Sequence, residues 1–268
     1  MAYTTILLEK RDHVAKLTMN RPDVLNAIND TMFAELNLAL DDVTRDEDVR
    51  VVVITGAGKA FTVSTDIREM NKSGDRLMSH LSDFETWEFI RKYPQQITLK
   101  LQKMPKPTIA MVNGFAVADG FDWVLACDLR IVSETARFSN AFLQMGLVSN
   151  TGATWLYPRA MSVTKALELL YTGDWLNAEE ALKFGVVTKV VPQDQLEKTT
   201  MELAAKIATK APIANKLVKE MVYRGLDESL EQHLLSAAYA EAFTLTTKDH
   251  KEALAAFLAK RAPKFTGK

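Results

Sequence analysis

VRVVVITGAGKAFTVSTDI, residues 49–67, opens on a run of β-branched residues that a glycine ends. The run lacks polar alternation, so the strand is apolar on both faces, which places it inside a sheet with parallel neighbours. The same plan returns in PKPTIAMVNGFAVADGFDWVLACDLRIVS, residues 105–133. There a proline-flanked break leads to a strand stopping at Asn113-Gly114, an apolar helix over about residues 120–127, and a further strand, DLRIVS. Working outward, residues 13–19 alternate as a strand after a turn at Arg11-Asp12, a hairpin that opens the chain. Leu25, Ile28, Met32, Phe33, Leu36, Leu40 and Val43 recur at helical steps, with Asn29 or Asp30 as N-cap, and residues 81–101 are again amphipathic. Strands alternating with helices predict an α/β class with a largely parallel sheet, whose binding sites gather where strands feed helix N-termini.

From about residue 196 the strand signals stop and helical periodicity takes over, interrupted near Ala211-Pro212. We expect a core over residues 1–195 and a helical C-terminal region over 196–268. The latter carries Leu234, Leu235, Tyr239, Phe243, Leu254, Phe257 and Leu258, more apolar surface than an appendage needs, and this points to a subunit contact.

The 268 residues are 47% hydrophobic, enough for a sizeable core, and 33 basic residues balance 34 acidic ones. Nothing in that balance calls for nucleic acid or an anionic membrane as partner, so any anion must be bound locally. The lone Cys127 excludes an intrachain disulfide framework and suits a reducing compartment. MAYTTILLEKRDH is too short in apolar residues for a secretion signal and too acidic for a transit peptide, and no apolar run is long enough to span a bilayer. A cytoplasmic protein is expected. His13, His80, His233 and His250 show no ligand spacing, so no metal site is expected. Cys127 reads as core, Ser64 and Ser139 have no base nearby in sequence, and Phe84, Trp87, Tyr93 and the methionines of residues 70–104 line an acyl pocket or pack as core.

Two junctions bear on chemistry: GAGKAFTVSTDIREM, residues 56–70, and NGFAVADGFDWVLACD, residues 113–128. Each sends a strand through small residues toward a helix. Backbone N–H groups at a helix start are unpaired and partly positive, so such a junction either holds an oxyanion or is an ordinary tight turn.

Arg21-Pro22, Leu25-Asn26-Ala27, the two junctions, MGLVSNTGATWLYPRAMSVTKALELLYTG and AFLAKRAPKFTGK follow one another in an order that resembles the enoyl-CoA hydratase/isomerase (crotonase) family over nearly the whole chain. The resemblance implies a spiral of ββα units, a helical C-terminal trimerisation region, and homotrimers that pair into homohexamers. It implies an acyl-CoA substrate, coenzyme A being the substrate's carrier rather than a cofactor. It places the two backbone N–H groups of an oxyanion hole at Thr65, where alanine is usual, and at Asp119, where glycine is usual. The Asp119 side chain then either opposes a developing enolate or turns away as a helix N-cap. Hydratases of the family use two glutamates; the first aligns with Asp122 and the second with Phe142, which carries no proton. A third acid position aligns with Asn150. One carboxylate suffices to move a double bond, so isomerisation is favoured over efficient hydration. Decarboxylation, thioester hydrolysis and non-catalytic acyl-CoA binding are the alternatives. For coenzyme A the resemblance points to Asn26, Ala27, Asp66 and Ile67, and to Phe257 and Lys260 from the C-terminal helix of the same or a neighbouring subunit.

Overall fold

Strands β1 (Ile6–Arg11) and β2 (Val14–Met19) form the opening hairpin, turning on Asp12 and His13 at φ 49° and 65°. Two left-handed residues in a two-residue turn match the twist of the paired strands. A computed structural model describes residues 3–68 and 82–268; Met70, Met78, His80 and Leu81 lie outside them. β2 runs parallel to β3 (Val51–Gly56), and β3 to β5 (Thr108–Val112). β7 (Leu129–Ser133) and β10 (Lys189–Val191) continue the parallel run. The resulting sheet has the order β1-β2-β3-β5-β7-β10. Every residue of β3 and β5 is buried, as their unbroken apolar runs require. Successive side chains go to opposite faces: Val52 and Ile54 join the larger core, Val51 and Val53 the smaller one behind the sheet.

A second sheet holds the short strands β4 (Ala60–Thr62), β6 (Phe115–Val117), β8 (Arg137–Ser139) and β9 (Leu176–Asn177), in that order. Each long strand β3, β5 and β7 therefore leads into a short one, β4, β6 and β8, stacked in parallel on its predecessor. This repeat is the spiral. The first two bends bring backbone onto backbone: a Cβ at Gly56 would lie 2.1 Å from the Ala60 carbonyl oxygen, and one at Gly114 2.0 Å from that of Lys59. No side chain fits at either bend.

Helix α1 (Asp30–Arg45) is capped by Asn29, whose side chain accepts from the Met32 N–H at 3.0 Å, and it buries Met32, Phe33, Leu36, Ala39, Leu40 and Val43. Residues 81–101, read above as one amphipathic stretch, hold two helices, α2 (Asp83–Lys92) and α3 (Pro94–Lys103). Pro94 lacks the N–H that would continue α2 and starts α3 instead. After β6 comes α4 (Asp119–Ala126), buried at all eight positions, and after β8 come α5 (Ala153–Ala160), α6 (Val163–Thr172) and α7 (Ala178–Lys183). The C-terminal run is helical as expected: α8 (Leu196–Ala208), α9 (Pro212–Gly225), α10 (Leu230–Leu245) and α11 (Lys248–Leu258). Its first helix covers the rear of the sheet, packing Leu196, Ala204 and Ala208 on Val51, Val53, Ile109 and Ile131. By contrast α10 buries no residue in the single chain. Among the described residues no helix is long and apolar enough to cross a membrane.

Candidate active site

The two junctions singled out in the sequence meet in space. After β4, Ser64 takes φ 73°. Its carbonyl accepts from the Ile28 N–H at 2.8 Å while the Ile28 carbonyl accepts from the Asp66 N–H at 2.9 Å, a parallel bridge that turns the N–H of Thr65 to the opposite side. After β6, Ala118 takes φ 48° and ψ −112° and donates to the Ser139 carbonyl at 2.9 Å, leaving Asp119 as the first residue of α4. A first helical residue has no intrahelical acceptor for its N–H. Among the described residues the N–H groups of Thr65 and Asp119 have no protein acceptor. Each follows a non-glycine residue at positive φ, a strained conformation that persists only where the surroundings impose it.

Asp119 does not cap α4; the N-cap is Ala118 and no side chain caps the helix. Its carboxyl is buried instead, with Oδ2 accepting from the Ser64 hydroxyl at 2.7 Å and Oδ1 2.9 Å from Thr151 Oγ1. The Ser64 bond ties one junction to the other. Asp122, one helical turn on and on the same face, is fully buried. Its Oδ2 lies 2.6 Å from Ser149 Oγ and 2.7 Å from Thr151 Oγ1, and its Oδ1 has no partner among the described residues. Burial pushes the Asp122 carboxyl up to about 7, the Ser149 and Thr151 hydroxyls oppose that rise, and the neighbouring Asp119 charge adds to it. Burial likewise raises Asp119, against the hydroxyls of Ser64, Thr151 and Thr65. Tyr157, buried against Asp122 and accepting from Asn140 Nδ2 at 3.3 Å, is raised well above the ordinary phenol value, first by burial and then by the Asp122 charge.

Phe142 is buried and Asn150 sits between the two residues that hold Asp122, with its side-chain Oδ1 buried and without a partner among the described residues. Nothing local in the sequence marks Ser149 and Thr151, whose hydroxyls meet Asp122 across 27 and 29 residues of chain, or Tyr157, which packs against it from further along. Ser64 has no base nearby in sequence, and its partner, Asp119, comes from the other junction. Ser139 donates to the Gly173 carbonyl at 2.8 Å and is structural. Cys127 is buried, and burial pushes its thiol up to about 12, so it belongs to the core.

Next to Thr65 lies a surface groove of about 300 Å³ whose walls include Leu25, Ala27, Val63, Asp66 and Ile67. Arg21 shapes it: its guanidinium meets Asp66 at 3.0 Å and the Ala27 carbonyl at 2.6 Å. The Asn26 side chain is consumed internally, accepting from the Arg21 N–H and donating to the Ala57 and Ala60 carbonyls, so it shapes the loop without reaching the groove. Phe257, 80% exposed at the end of α11, and Lys260 just beyond it do not line this groove within one chain. Phe84 and Trp87 stack on each other at the surface of α2, 5.8 Å apart, whereas Tyr93 packs against the core.

The chain matches the sequence profile of the enoyl-CoA hydratase/isomerase family over residues 9–268. It is 35% identical, over 97% of each chain, to a short-chain-enoyl-CoA hydratase of Clostridium acetobutylicum. It is 33% identical, over 98% of each, to the 1,2-epoxyphenylacetyl-CoA isomerase of Escherichia coli. The crystal structure of an enoyl-CoA hydratase from Bacillus anthracis superposes with a TM-score of 0.89 at 32% identity, covering 99% of this chain and 100% of that one. Likeness of this extent in both sequence and backbone, with the spiral of paired strands intact, means that the chain belongs to the enoyl-CoA hydratase/isomerase (crotonase) family.

Proposed function

We propose that the chain acts on an acyl-CoA thioester and moves a proton, and with it a double bond, beside the thioester carbonyl. The observation that carries this reading is Asp122, buried and joined to Asp119 through the Thr151 hydroxyl, with one oxygen unpartnered among the described residues and burial pushing its carboxyl up to about 7. A carboxyl poised near neutrality takes up a proton and returns it at similar cost, which is what isomerisation asks of a single base. Water addition by a pair of carboxylates finds no second acid at Phe142. The thioester oxygen sits between the N–H groups of Thr65 and Asp119, where fixed dipoles in a dry site stabilise the enolate. Coenzyme A follows the groove at Ala27, Asp66 and Ile67, with Phe257 and Lys260 arriving from a neighbouring subunit of a trimer or hexamer.

The test is to incubate the purified protein with a panel of acyl-CoA thioesters in deuterated water and follow products by mass. Deuterium entering an enoyl-CoA with migration of its double bond, faster than any hydration, is the expected result. Loss of carbon dioxide or release of free coenzyme A would replace isomerisation by decarboxylation or hydrolysis. Binding without exchange on any thioester would make the protein a non-catalytic acyl-CoA binder.

A further inference from the structure

Thr151 is asked to do more than one hydroxyl can. Its Oγ1 lies 2.9 Å from Asp119 Oδ1 and 2.7 Å from Asp122 Oδ2, both hydrogen-bond distances. A threonine hydroxyl has one proton to give and lone pairs that accept. Were both carboxyls ionised, one of these contacts would set oxygen lone pairs against each other at under 3 Å in a buried site. Both contacts are satisfied only if a carboxyl supplies the second proton and Thr151 accepts it. The surrounding charges agree with this count. Among the described residues the groups acting on Asp119 are Ser64, Thr65 and Thr151, and those acting on Asp122 are Ser149, Thr151, Tyr157 and Asp119 itself. All are neutral apart from the other carboxyl, so among the described residues no cation acts on either acid to compensate two adjacent buried negative charges.

Resting on the functional reading above, we propose that the Asp119 side chain is the second carboxyl of this site: Asp119 and Asp122 share one proton through the Thr151 hydroxyl. The exchange is balanced. When the proton on Asp122 Oδ2 passes to Thr151 Oγ1, the original Thr151 O–H bond breaks and its proton goes to Asp119 Oδ1. The pair keeps a single negative charge throughout, and only its location changes. With the proton on Asp119, Asp122 is the anionic base, and the carboxyl at the mouth of the oxyanion hole is neutral. Once Asp122 has taken a proton from carbon, both carboxyls are neutral and the enolate is the sole anion of the site. Asp119 thus removes the electrostatic conflict that its own side chain would create if ionised. It acts through Asp122 and is a positioning residue with respect to the reacting carbon. The acid that Phe142 does not supply has a counterpart one helical turn before Asp122.

Infrared difference spectroscopy of the ligand-free protein across a pH titration tests the shared proton without any substrate. At neutral pH the wild-type protein should show a protonated buried carboxyl that shifts in deuterated water, and Asp119→Asn should alter its frequency and move its midpoint by at least about one pH unit. Two ionised carboxylates at pH 7 in the wild type would overturn the proposal, whatever the protein does with acyl-CoA. A shared proton present in a protein that turns over no thioester would instead sink the functional reading and leave the pair standing. For the relay, Thr151→Val should lower kcat by about tenfold or more with KM little changed and displace the pH profile of kcat/KM, while Thr151→Ser, which restores the hydroxyl, should recover both. A Thr151→Val protein that folds and keeps the wild-type pH profile would rule out the relay.

Discussion

Ser64 and Ala118 set the residue scale, because each holds a positive φ that an L-residue adopts at a cost and each precedes one of the two free N–H groups. In the proposed site these two donors meet the thioester oxygen, and the carboxyls of Asp119 and Asp122 decide what charge is tolerated there. Asp122→Asn keeps the shape and removes the base. It should reduce deuterium exchange into the thioester by about a hundredfold or more with KM nearly unchanged, as steady-state kinetics would report. The same residue links stability to pH. The unfolded chain loses this proton near 3.8, whereas the folded protein keeps it to about 7. Between those values the folded state binds more protons, so stability falls as pH rises, by roughly 1 kcal/mol per pH unit. The raised Asp119 acts in the same direction. Urea unfolding midpoints measured from about pH 4 to about pH 8 should show this decline, and Asp122→Asn should make it shallower.

Helix α4 is the element on which the site depends, since it carries Asp119 and Asp122 on one face and places its N-terminus against β4. Gly120 makes that approach possible: a Cβ there would lie 2.7 Å from both Cγ2 and the carbonyl oxygen of Thr62. Gly120→Ala must push α4 off the strand. It should cost about 1–3 kcal/mol in denaturant unfolding, and because the Asp119 N–H moves with the helix, kcat should fall by more than the stability loss explains. The strands were legible in residues 49–56 and 108–112 because β-branched runs ended by glycine have few other readings. The split of residues 81–101 into α2 and α3 was less so, although Pro94 marked the place.

At the scale of the whole molecule, α10 presents Leu230, Leu234, Leu235, Tyr239 and Phe243 to solvent in the single chain. Exposed apolar surface of that extent is the kind that a contact with another subunit would bury. Sedimentation of the purified protein should give a trimer or a multiple of it, and Leu235→Asp with Tyr239→Asp should release monomers in which turnover is lost, if Phe257 and Lys260 complete a neighbour's groove. What the sequence determined by itself was the succession of elements, the family, and the two strand-to-helix junctions, since periodicity, glycine positions and ordered motifs are properties of a chain read along its length. What only the tertiary structure decided was the state of those carboxylates. Ser64 reaches Asp119 across 55 positions, and Ser149 and Thr151 reach Asp122 across 27 and 29. Burial, surroundings that among the described residues hold no cation acting on either acid, and a hydroxyl shared between the two arise from packing in three dimensions, and they turn an aspartate that looked misplaced at Asp119 into a partner for Asp122.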